Sequence, residues 1–244
     1  MTRAAALLLG VLAIAAVGGG WTTARTEEPV TAYAASSLTS VFPRISPAAR
    51  FQFAGSNQLA FQIRNGAPTD VFASASPVYT QELLRAGLVE KPRLFATNSL
   101  VLAVPRSNPA KIRTVQDLAK RPNLKLVVAG AKVPIGLYTR EVLKRLGLLR
   151  VLRKAVSQEP DVKGIVGKIA FGQADAGFVY ATDVRASSSR LIAIPLPPRS
   201  QPTVRYEVAV VKGTKNRAGA LELVTDLLGE GGRRELKQAG FGLP

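Results

Sequence analysis

The sequence predicts an α/β protein of two lobes, each built on a mainly parallel sheet flanked by helices. Three observations predict it. Strand-like and helix-like segments alternate along the chain, the pattern of parallel sheets with helical crossovers. The length of 244 residues is large for one open sheet. No low-complexity linker divides the chain, so the lobes are expected to be joined by continuing strands. The crossings are expected near Asn98 to Ala103 and near Arg205 to Val208. That gives one lobe from residues 29–100 and 206–244, and a second from 101–205.

In chain order, Val30-Thr31-Ala32 opens the first strand, and the small residues of Tyr33 to Ser40 lead into the apolar pair Val41-Phe42. Phe51-Gln52-Phe53 alternates as a strand and breaks at Ala54-Gly55-Ser56-Asn57. Leu59 and Ile63 then share one helical face, ended by Gly66-Ala67-Pro68. Val71-Phe72-Ala73 is a short buried strand, and Pro77 to Ala86 a helix stopped by Gly87. Ser99 to Val104 is a continuous apolar strand closed by Pro105. Thr114 caps a short helix, with Asp117 three residues on. Leu124 to Val128 is a strand, and Pro134 opens a helix carrying Leu137, Val142, Leu143 and Leu146, ended by Gly147. Val151 to Val156 reads as a strand, and Asp161 caps a helix with Ile165 and Ile169 inward. Strands follow at Ala176 to Tyr180, Leu191 to Leu196 and Val204 to Val211. Helices over Asn216 to Leu228 and Gly231 to Gln238 finish the chain.

Composition removes several chemistries. Residues 1–25 read as a secretory signal: Arg3, then an uncharged apolar run from Ala4 to Val17, then small residues for cleavage. The run is short for a membrane span, with an uncleaved anchor as the other reading. An exported, extracytoplasmic protein is expected. There is no cysteine, which excludes a lipidated N-terminal cysteine, a thiol nucleophile and a thiolate metal site. There is no histidine, which removes the commonest general base and Ser-His-Asp catalysis. Lys and Arg number 33 against 16 acids, a net charge of +17 that draws anions to the surface. The basic residues are dispersed and lack the interleaved aromatics of a stacking platform, so no nucleic-acid partner is expected.

Four strand-to-helix junctions look alike: Ala35-Ser36-Ser37, Ala54-Gly55-Ser56-Asn57, Val133-Pro134-Ile135-Gly136 and Pro160-Asp161-Val162. A fifth candidate is Tyr180, at the end of a strand. A polar residue at such a turn can cap the helix. Alternatively, the first-turn N–H groups stay free and donate to an anion. In open α/β sheets, ligands collect at these strand ends. Each junction alone supports either reading.

Taken together, the ordered motifs make the chain resemble the periplasmic molybdate-binding proteins of ABC importers, of the type II periplasmic-binding-protein fold. The resemblance is carried by Ala34-Ala35-Ser36-Ser37-Leu38-Thr39, Phe53-Ala54-Gly55-Ser56 and the run from Gln62 to Ala75. It continues through Asn98-Ser99-Leu100-Val101, Val133-Pro134-Ile135-Gly136-Leu137-Tyr138, Asp161-Val162-Lys163, Ala174 to Tyr180 and Gly240-Phe241-Gly242-Leu243-Pro244. It implies a cleft between the lobes that holds molybdate, and tungstate with it, for delivery to an ABC permease in the inner membrane. By the same resemblance, Ser37 and Ser56 donate through hydroxyl and backbone N–H, Ile135 and Val162 through backbone N–H, and Tyr180 through its hydroxyl. Molybdenum is then held as molybdate, with no direct metal–ligand bond and no cofactor, and a monomer is expected. Two departures stand out. Ile135 is bulkier than the family's usual alanine, and Phe42 to Arg50 is a short segment whose Pro43 and Pro47 cut the first helix short.

A donor-only site suits a dianion that has no proton, and penalises protonated phosphate, whose O–H needs an acceptor. Sulfate is smaller, so its exclusion falls to cavity size. The alternatives are a binder of sulfate or phosphate on the same fold, and an enzyme using serine with lysine. Ser-x-x-Lys occurs at none of the junction serines, and Asp70, Asp175 and Asp183 read as loop caps. An organic-acid binder would want an arginine clamp. Arg64 and Arg140 follow two junctions by several residues and read as solvated helix faces.

Overall fold

The computed structural model describes residues 28–244, so the expected signal of residues 1–25 lies outside the described residues. In chain order the elements are β1 (Thr31–Ala35), α1 (Phe42–Ile45), β2 (Arg50–Ala54), α2 (Ser56–Arg64), β3 (Val71–Ser74), α3 (Pro77–Arg85), β4 (Arg93–Asn98), β5 (Leu100–Pro105), α4 (Asp117–Lys120), β6 (Leu126–Ala129) and α5 (Pro134–Arg145). Then come β7 (Ala155–Glu159), α6 (Val162–Ala170), β8 (Ala176–Tyr180), α7 (Ala181–Ala186), β9 (Leu191–Pro195), β10 (Val204–Val210), α8 (Arg217–Leu228) and α9 (Glu230–Ala239).

The strands form two five-stranded sheets, ordered β2-β1-β3-β10-β4 and β7-β6-β8-β5-β9. In the first, β2, β1 and β3 are parallel, while β10 pairs antiparallel with both β3 and β4. In the second, β7, β6 and β8 are parallel, while β5 pairs antiparallel with β8 and β9. Four strands of each sheet therefore run one way and one runs against them. The reversed strand is in each case the first that the chain lays down on entering that sheet from the other. The chain leaves the first sheet at Ser99, between β4 and β5, and returns between Pro195 and Val204.

Three local readings are corrected. The segment Val151 to Val156 is not a strand: Leu149–Lys154 is a 3-10 helix and β7 begins at Ala155. Gly147, at φ 69°, ends α5, and the chain coils once more before it can enter the sheet. The segment Arg93–Asn98, with no strand expected, is β4, with Phe95 and Ala96 buried. Thr114 does not cap α4. Instead the Asp117 carboxylate reaches back to the N–H groups of Arg113 and Thr114, both at 2.9 Å. The first helix is cut to Phe42–Ile45, with Pro43 in its first turn.

Interior strands are buried along their length: β3, β5, β6 and β8 expose none of their residues. That is the signature of sheets covered on both faces. A run of aromatic rings joins the two sheets. Phe42 meets Phe95, Phe95 meets Tyr206, and Tyr206 meets both Phe241 and Tyr180, with centroids 5.4–5.9 Å apart. Tyr206 belongs to β10 of the first sheet and Tyr180 to β8 of the second, so this contact bridges the two halves where the chain passes between them.

Candidate functional site

A small cavity of about 10 Å³ lies between the two sheets. That is far below the roughly 300–1,000 Å³ of pockets for drug-sized ligands. Its walls come from all five junctions singled out in the sequence. Ser36 and Ser37 follow β1, Gly55 and Ser56 follow β2, Pro134 and Ile135 open α5, Asp161 and Val162 open α6, and Tyr180 ends β8. Ser37, Ser56, Ile135, Val162 and Tyr180 are thus brought to one place, each at most 3% exposed. The lining carries no lysine or arginine, and Asp161 is its one charged residue.

Three of the helix starts leave their N–H groups uncapped by side chains. The residue ahead of α2 is Gly55, that ahead of α5 is Val133, and that ahead of the 3-10 turn Ser36–Leu38 is Ala35; none makes a side-chain cap. First-turn N–H groups have no intrahelical acceptor and carry the positive end of the helix dipole. At α6 the Asp161 carboxylate accepts from Lys163 at 2.7 Å and Gly164 at 3.1 Å. It is a plain cap, and the N–H of Val162, one residue earlier, is not among the groups it satisfies. The side chain of Ile135 packs in the hydrophobic core.

The hydroxyls are held differently. Ser56 Oγ accepts from the N–H of Ala75 at 3.1 Å, which leaves its proton to donate. Ser37 Oγ lies 3.0 Å from the Tyr206 hydroxyl. The Tyr180 hydroxyl is fully buried and has no hydrogen-bond partner among the described residues. The Tyr206 hydroxyl lies beside it and helps to hold its proton in place. Burial pushes the Tyr180 phenol well above its ordinary value, with Tyr206, Tyr138 and Asp183 adding to the effect. Burial raises Tyr206 as well. Both phenols therefore keep the proton they would donate.

Behind Tyr180, the buried Asp183 carboxylate accepts from the Tyr180 N–H at 3.2 Å and from Lys163 Nζ at 3.0 Å. Burial raises the Asp183 carboxyl, and Lys163 pulls it back toward its charged form. Asp70 accepts from the Thr31 N–H at 2.7 Å and Asp175 from the Lys125 N–H at 2.8 Å. All three aspartates are structural, as the sequence suggested. Arg64 is exposed and pairs with Glu82. Arg140 differs from its expected solvated position: it is half-buried, and donates to the carbonyls of Gly136 at 3.0 Å and Ala129 at 3.4 Å. It stands behind the first turn of α5, not in the cavity wall.

Sequence reasoning missed Tyr206. Tyr206 sits 169 residues from Ser37 inside an ordinary alternating strand, and nothing local distinguishes it. Asp183, read from the sequence as a loop cap, follows Tyr180 by three residues, the spacing of a helix N-terminal cap.

The family model described as bacterial extracellular solute-binding protein matches residues 30–242. The molybdate-binding protein ModA of Mycobacterium bovis is 36% identical over 225 residues, covering 88% of this chain and 85% of that protein. The molybdate-binding protein ModA of Escherichia coli is 30% identical over 205 residues, covering 78% and 80%. The periplasmic molybdate-binding protein of Azotobacter vinelandii superposes with a TM-score of 0.77 at 23% identity, covering 88% of this chain and 99% of that one. By the match over 30–242, this chain belongs to the bacterial extracellular solute-binding proteins.

Proposed function

We propose that the protein captures molybdate, and tungstate with it, between its two lobes and delivers it to an ABC permease. The observation that carries this reading is the donor character of a small buried cavity. Three hydroxyls, from Ser37, Ser56 and Tyr180, and the first-turn N–H groups beside Ile135 and Val162 border it. A dianion placed there receives hydrogen bonds from neutral groups only. Bonds to charged partners are worth about 1.5–3 kcal/mol each, which offsets the cost of burying the charge. Kinship with proteins named for molybdate binding supports the choice of oxyanion.

The two passages between sheets, at Ser99 and over residues 196–203, serve as the hinge about which the lobes close. The protein acts outside the cytoplasm, as a monomer, and binds without turning its ligand over. In keeping with that, the cavity serines are bonded to Tyr206 and to the Ala75 N–H, neither of which is a general base at neutral pH. In a thermal melt, molybdate and tungstate raise the melting temperature and sulfate raises it far less. Equal response to molybdate and sulfate points to a sulfate binder of the same fold; no response to any of them removes the reading.

A further inference from the structure

The positive charge is not shared between the lobes. Residues 101–205 hold 19 lysines and arginines against six acids, a net charge of +13. The rest of the described chain holds 12 against nine, a net charge of +3. Basic residues of the second lobe that are dispersed in sequence gather at one edge of its sheet. Leu100 of β5 pairs with Tyr180 of β8, so β5 starts at the cavity. It ends at the opposite edge, where Pro105 pairs with Leu191 of β9. The starts of β6, β7 and β8 share that far edge, roughly 15 Å from the cavity by strand length. Four of the five strands carry an exposed basic residue there: Arg153 just before β7, Lys125 before β6, Arg106 after β5 and Arg190 before β9. None of these four side chains forms an ion pair among the described residues, whereas Arg44, Arg64 and Arg217 of the first lobe all pair with glutamates. Asp175, ahead of β8, is taken up by the Lys125 backbone N–H at 2.8 Å. Neighbouring strands lie about 4.8 Å apart, so the row spans roughly 19 Å.

Two apolar side chains stand out beside this row. Phe171, which ends α6, is 71% exposed, and the Arg190 guanidinium lies 5.2 Å from its ring centre. Leu149, which opens the 3-10 helix leading into β7, is 44% exposed. Unpaired cations with an exposed aromatic among them match a surface that is anionic outside and apolar just beneath. We propose that this edge of the second lobe rests on an anionic phospholipid surface, with Arg106, Lys125, Arg153 and Arg190 at the headgroup phosphates and Phe171 and Leu149 at the acyl boundary. The chain has no cysteine to carry a lipid, and the basic edge supplies a reversible hold in its place. Duplex nucleic acid, the other polyanion, offers no apolar layer beneath its phosphates to receive Phe171 and Leu149. The edge faces away from the cavity, so membrane contact and oxyanion binding are independent properties.

Co-sedimentation with vesicles tests it. Protein purified in its exported form is mixed with phosphatidylcholine vesicles, with and without phosphatidylglycerol, over a range of salt. The expected result is binding to the anionic vesicles alone, weakening as salt screens the charges. Neutralising the edge with Arg106→Gln, Lys125→Gln, Arg153→Gln and Arg190→Gln together lowers that binding at least about a hundredfold. Removing as many exposed charges from the first lobe, with Lys91→Gln, Arg93→Gln, Lys212→Gln and Lys215→Gln, leaves most of it in place. Phe171→Ala weakens binding several-fold and keeps its salt dependence. Thermal unfolding checks that each variant is folded; the single reversal Lys125→Glu, with a smaller loss expected, carries the same test if the fourfold variant does not fold. Equal loss from the two fourfold variants would show that net charge and not this edge is at work. That result overturns the proposal, as does binding to neutral vesicles as strong as to anionic ones, or no binding to either. Tighter binding to duplex DNA than to anionic vesicles at equal phosphate concentration overturns it as well, and assigns the edge to a soluble polyanion.

Discussion

At the scale of single residues, the Tyr180 hydroxyl is a buried donor with no partner among the described residues, which is costly unless a ligand meets it. Tyr180→Phe removes that donor and the cost of burying it together. Oxyanion affinity falls by roughly tenfold or more, while the melting temperature without ligand holds or rises, as calorimetry and thermal unfolding would show. Ser37→Ala weakens binding similarly and leaves Tyr206 without its hydrogen-bond partner, so it also loses some stability. The pH dependence follows from the same groups. Both phenols have folded values raised above about 10, the ordinary value, so the donating, protonated form persists throughout the range below it. The chain has no histidine to titrate near neutrality. Affinity for molybdate is therefore flat between about pH 7 and 9.5. A drop within that window, measured by titration calorimetry, would mean that some other group holds the ligand.

At the scale of elements, the site depends on helix starts brought close across the cleft. A Cβ added to Gly55, the residue ahead of α2, would stand 2.5 Å from the carbonyl oxygen of Pro160, ahead of α6. Gly55 has φ −62°, which any residue adopts, so the requirement is close approach and not backbone freedom. Gly55→Ala holds the two helix starts apart. It lowers oxyanion affinity at least about tenfold, with a cost to the unliganded fold of up to about 1 kcal/mol from the poorer cap. Wild-type affinity in this variant would show that the two starts need not meet. The helix starts were legible because small residues, prolines and an aspartate mark them locally. What could not be read was pairing. The buried Phe95 and Ala96 of β4 face antiparallel β10, more than 100 residues away, and the sequence around them carries no turn signal that announces a hairpin. The 3-10 helix at Leu149–Lys154 has the apolar residues of a strand, and only the coil forced after Gly147 decides against one.

At the scale of the molecule, two sheets of matching order are joined by two passages, and each reversed strand follows a passage. That arrangement puts the ends of β1, β2 and β8 and the starts of α5 and α6 around one cavity. The Tyr138 hydroxyl, on α5, donates to the Ala75 carbonyl at 3.3 Å, and the Tyr79 hydroxyl, on α3, to that of Lys132. Both contacts cross between the halves. The alternation of strands and helices made the two-lobed α/β class legible. The reversal of β5 and β10 was not, because direction within a sheet is settled by where the chain re-enters it. The central claim is that neutral donors from both halves enclose a single tetrahedral dianion. Titration calorimetry of the purified protein with molybdate, and then with sulfate, tests it most directly. One molybdate bound per chain, with sulfate bound far more weakly, is the predicted result; equal binding of the two, or none of either, would contradict it.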